Sequence, residues 1–121
     1  MDITPELVAN VRNGILDLLA LLADPEAQRA YERDVPLADV PSELFCGWFD
    51  DTYIPSSPAF QLAFSEEERA ALANFSEQFD AIGSAFGKRP PPLDVLQTLE
   101  RWKSLEHAAA RTLARLVRAH D

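Results

Sequence analysis

SEEERAALANFSEQFDAIGSAFG, residues 65–87, decides the fold class. Ser65 followed by Glu66, Glu67 and Glu68 is a capping box with acids in the first turn, where the positive end of the helix dipole favours them. Leu72, Phe75, Phe79, Ile82 and Phe86 then recur at spacings of three, four, three and four. That is the period of a helix with one buried stripe, and Gly87 fits its C-cap.

Working outward, the same signals recur. Ser57-Pro58 opens a single turn bearing Phe60 and Phe64. Pro41-Ser42-Glu43 starts a helix carrying Leu44, Phe45, Trp48 and Phe49 as an i, i+1, i+4, i+5 stripe, and YIPSSP ends it. In DVPLADVP two prolines set an extended stretch, predicted to lay Val35, Leu37 and Val40 over the core. Asp24-Pro25-Glu26 opens a shorter helix through about Arg33. Thr4-Pro5-Glu6 opens the first helix, with Leu7, Val11, Ile15, Leu18 and Leu22 on one stripe. Gly14 falls within it, costly against alanine unless another backbone packs close. Beyond a rigid KRPPP linker, Asp94 and Gln97 form a second capping-box pattern. Leu96, Leu99, Trp102, Ala109, Leu113 and Leu116 supply a last, basic helix with a break near Ser104. Strand alternation is hard to find anywhere. The expectation is a single all-α domain over residues 1–121, an irregular helical bundle of three long helices plus two or three short ones.

Composition narrows the function classes. Apolar residues make up 47% and charged residues 26%, ordinary for a globular chain. One cysteine supports neither a disulfide framework nor a zinc cage. MDITPELVANVRNG lacks the pattern of a signal peptide, and the apolar-leaning run from Ile15 to Ala23 is too short for a bilayer, so a cytoplasmic protein away from membranes is expected. Residues 1–87 hold 16 acids against 4 bases, whereas residues 88–121 hold 7 bases against 4 acids. A chain so polarised repels nucleic acid over most of its surface and attracts a basic protein. The plainer reading of that charge is solubility, with internal pairing between the acidic front and the basic last helix.

Candidate chemistry is sparse. A nucleophilic cysteine needs a lowered pKa, but Cys46 sits among acids and aromatics, with only His107 and His120 available as bases. It is expected to be buried filler. Neither histidine has a glutamate three residues before it, and HExxH and calcium-loop patterns are absent. Four glycines, at 14, 47, 83 and 87, build no phosphate cradle. No catalytic residue, metal or cofactor is expected; Asp50, Asp51 and His107 brought together by folding are the enzyme alternative.

That leaves binding. FCGWFDDTYIPSSPAF, residues 45–60, holds Trp48, Phe49, Tyr53 and Phe60, residue types enriched at interface centres, beside Asp50 and Asp51. Leu44, Phe45 and Trp48 are read as core, and Asp50, Asp51 and Tyr53 as a surface lip. Asp34, Asp39, Glu43, Glu66, Glu67 and Glu68 extend the acidic set.

Over about residues 34–86, with ADVPSELFCGWFDDTYIP and FSEEERAALANF as its clearest parts, the chain resembles the small acidic all-helical immunity proteins of interbacterial toxin systems. That resemblance implies a non-enzymatic protein that binds and occludes a basic toxin domain, such as a nuclease. The alternative is a scaffold that self-associates through the apolar faces of its first and last helices as a homodimer.

Overall fold

A computed structural model describes residues 3–120, without the side chains of 118–120, so what the sequence implies for the Arg118 and His120 side chains lies outside the described residues. The described residues are all helical, without a strand: α1 (Pro5–Leu22), α2 (Pro25–Asp34), α3 (Val40–Cys46), a π-helical segment (Gly47–Thr52), α4 (Pro58–Ala63), α5 (Glu66–Ala85), α6 (Leu93–Leu96) and α7 (Glu100–His120).

Most starts follow the expected caps. Thr4 Oγ1 accepts from the Leu7 N–H, Asp24 from Glu26 and Ala27, and Ser57 from Phe60. Ser65 and Glu68 close the full capping box, each side chain satisfying the other's backbone N–H. Gly87 takes a φ of 71°, the left-handed conformation in which a side chain would be strained.

Three helices carry the frame. α7 packs against both α1 and α5. Its later part meets the middle of α1 and the start of α5, where Arg12 and Glu68 lie, and its first turns meet the end of α1 and the α2 start. It therefore runs antiparallel to α1 and α5. Their shared core holds Ile15, Leu19 and Leu22 of α1, Leu72, Phe75 and Phe79 of α5, and Trp102, Leu105, Ala109 and Leu116 of α7. Trp48 and Phe60 are buried there too. Gly83 admits the Phe45 ring: a Cβ at that position would stand 3.0 Å from Phe45 Cε1. Phe45 in turn packs 4.5 Å from Phe79, centroid to centroid.

Two polar junctions pin the ends of α7. At one, Arg12 donates to both carboxylate oxygens of Glu68 and to the Ala63 and Leu116 carbonyls, joining α1, α4, α5 and α7. At the other, Gln28 is fully buried and donates to the Leu21 and Leu22 carbonyls at the end of α1, adding to the Asp24 N–H that Leu21 already accepts. Its oxygen accepts from Trp102 Nε1 and Gln97 Nε2.

Several local expectations are corrected. Leu37 is fully exposed and Val35 partly so; only Val40 of that trio joins the core. Pro92, not Asp94, caps α6, and no capping box forms there: the helix begins at Leu93, so Asp94 falls within its first turn and Gln97 just past its end, where it donates to Gln28 and the Pro25 carbonyl. α7 runs unbroken through Ser104. Gly14 has no backbone close against it, the nearest atom to a Cβ there being Thr52 Cγ2 at 3.9 Å. Cys46 is exposed rather than buried.

Candidate functional site

The stretch Gly47–Thr52 adopts the wider π-helical winding, closed by the Tyr53 N–H donating to the Trp48 carbonyl at 2.8 Å. Its composition explains the winding. Trp48 and Phe49 are adjacent and both seek the interior. Trp48 is buried, donates through Nε1 to Ser76 Oγ at 3.1 Å and meets Phe75 edge-on. Phe49 packs on Phe79 at 5.2 Å. Tyr53 falls back under the segment and stacks on Trp48 at 5.1 Å, with Phe60 edge-on at 5.5 Å. Asp50 and Asp51 are left outside and exposed.

Tyr53 is thus half-buried, a correction to its reading as surface lip: it floors the aromatic cluster. Burial raises its hydroxyl pKa, with the charge of Glu77 adding to that. Phe60, weighed as an interface aromatic, is core, and Trp48 is buried as its stripe implies.

The remaining predicted binding residues occupy different neighbourhoods. Asp39 caps α3, accepting from the Ser42 N–H and hydroxyl, and pairs with Arg89 at 2.8 Å. The Arg89 hydrogen bond leads the causes that lower its pKa, with Ser42 adding to it against a weaker push from burial. Asp39 is therefore committed to the chain's own structure, although so exposed a pair contributes little stability. Glu43 is exposed on α3, and its hydrogen bond raises the pKa of the Tyr31 hydroxyl. Asp34 ends α2 in solvent. Glu66 and Glu67 are exposed in the first turn of α5, where they favour the helix dipole. Asp51, Asp39 and Glu67 line three separate cavities, so the acids do not converge on one point.

Glu68, grouped with the surface acids from sequence, is buried. Burial pushes its carboxyl up, but the Arg12 hydrogen bonds and the Ser65 N–H outweigh that and leave its pKa lowered. Arg12 carried no signal of its own; only a lone cation on an otherwise apolar stripe beside Val8, Val11 and Ile15 could have marked it. The expected pairing of the acidic front with the basic last helix is not found among the described residues. Lys103 pairs with Glu100 of its own helix at 3.6 Å, and no ion pair ties Arg101, Arg111 or Arg115 to a front acid.

One residue of the acidic lip lines a cavity. Asp51 stands at a cavity of about 280 Å³ between α1 and the π segment. Val11, Ile54 and Phe60 give it apolar walls; Asn10, Thr52 and Ser57 give it polar ones; Gly14 leaves its α1 side open. Neither Asp50 nor His107 lines it, so the Asp50–Asp51–His107 triad does not assemble there. Among the described residues no group of three or more His, Cys, Asp or Glu side chains is arranged to hold a metal ion, and no helix is long and apolar enough to cross a membrane. Comparison with protein-family models, with curated proteins and with solved structures finds no match to this chain.

Proposed function

We propose that this chain is a non-enzymatic protein-binding module of the immunity type, acting in the cytoplasm, that docks a basic toxin domain on the acidic rim of its π segment. The observation that carries the reading is the state of Asp50 and Asp51. Both are exposed, and among the described residues neither enters an ion pair or a side-chain hydrogen bond. Adjacent like charges on a rigid, aromatic-backed segment repel one another and raise the local negative potential, which steers a cationic partner and is relieved when it binds. The aromatic cluster beneath holds the rim rigid, so little ordering is needed on docking. A lone exposed thiol at Cys46 suits a reducing compartment.

The test is affinity capture from a lysate of the source cells at low and moderate salt, run with the wild-type chain and with Asp50→Lys/Asp51→Lys. The expected outcome is one basic protein, held by the wild type, weakened by salt and lost from the variant. Equal capture by both chains would overturn the reading. The homodimer alternative has less to stand on, since α1 and α7 bury their apolar stripes against each other. Sedimentation that shows a concentration-dependent mass would revive it through another surface.

A further inference from the structure

We infer that the cavity between α1 and the π segment is an anchor pocket for a cationic side chain, a lysine or arginine presented by the partner, with Asp51 as its counter-ion. The inference rests on the docking reading and adds the residue type that the partner must supply.

The pocket's chemistry is amphipathic in the same order as such a side chain. Val11, Ile54 and Phe60 offer apolar surface to an aliphatic stem, while Asp51 meets the charge, and Asn10, Thr52 and Ser57 carry oxygens that can accept its remaining N–H groups. An anionic or wholly apolar guest would leave Asp51 desolvated without a partner, which is costly.

Gly14 is the second observation. A glycine inside an 18-residue helix weakens it, and here no close backbone contact requires one. What the missing side chain does leave is the open wall of the pocket. The local cost in helix stability and the open pocket are thus two consequences of the same position, and they make opposed predictions.

The experiment is an amide-resolved NMR titration of the full chain with N-acetyl-lysine methylamide, against the uncharged N-acetyl-norleucine methylamide. The lysine probe is expected to shift Gly14, Asp51, Thr52 and Ile54 saturably, and the norleucine probe to bind at least fivefold more weakly. Asp51→Asn, which keeps the volume and an acceptor oxygen, should weaken the lysine probe about fivefold, as replacing a charge-assisted hydrogen bond by a neutral one does. Gly14→Ala should weaken it while raising the melting temperature, because the added methyl narrows the pocket and favours the helix. No saturable shift with the lysine probe, equal binding of norleucine, or full affinity in Asp51→Asn would each overturn the pocket. Failure of the probe with a basic partner still captured removes the anchor pocket and leaves the docking face. Probe binding with no basic partner captured supports the pocket and removes the docking reading.

Discussion

Glu68 and Asp51 are both carboxylates of the acidic front, seventeen positions apart, and their surroundings are opposite. Glu68 is 9% exposed, held by Arg12 through both oxygens and by the Ser65 N–H. Asp51 is exposed, without an ion pair among the described residues, above a partly apolar cavity. The first is part of the wiring that ties four helices together. The second makes no comparable contribution to the fold, which frees it for a partner. Net charge alone does not distinguish them; geometry does.

The comparison is broken most readily from the wired side. Arg12→Leu strands the buried Glu68 charge and frees the Ala63 and Leu116 carbonyls, so it should destabilise the chain by about 3 kcal/mol or more in urea unfolding. A loss as small as that of a surface substitution would mean the junction is solvated. Gly83→Ala forces a methyl to within 3.0 Å of the Phe45 ring, and the ring must move within a packed aromatic cluster. About 1–2 kcal/mol of destabilisation is expected, with changed near-ultraviolet dichroism.

Acid and base titration sharpens the same contrast within the buried set. The lowered pKa of Glu68 contributes stability that is present above the ordinary glutamate value and is lost as pH falls through the folded pKa. Glu106 behaves oppositely. It is 7% exposed, its Oε2 has no hydrogen-bond partner, and burial raises its pKa against the pull of Gln28, His107 and Arg29. Its contribution is fully present below the ordinary value of 4.5 and is lost as pH rises through the raised folded pKa. Glu106→Gln should therefore be more stable than wild type at neutral pH, with the advantage shrinking as the solution is acidified. Parallel stability–pH curves for the two chains would contradict this.

Much of the frame was legible because local signals and tertiary packing agree. Thr4, Asp24, Ser57 and Ser65 cap as their sequence contexts imply, and the stripe from Leu72 to Ile82 is buried as its spacing implies. Cys46 should have been readable as well. With residues 44, 45, 48 and 49 facing inward, position 46 points away from the core, and on a helix that geometry outweighs the usual burial of a cysteine. What was not legible depends on partners distant in sequence. Gln97, just past the end of α6, bonds Gln28 some seventy positions away, a role no local pattern marks. Arg12 meets Glu68 across 56 positions. The π segment arises where adjacent aromatics compete for one interior, a conflict that periodicity does not represent. The acidic candidates share one charge, and charge alone does not separate Asp51, above its cavity, from Asp39, paired with Arg89.

The most direct measurement pairs two readouts on Asp50→Lys/Asp51→Lys: the urea midpoint, and the association rate with the captured basic partner at low salt. If the π rim serves binding and not folding, the midpoint stays at the wild-type value while the association rate falls about tenfold or more, the usual scale of lost electrostatic steering. An unchanged rate, or a midpoint that drops as far as that of Arg12→Leu, would contradict it.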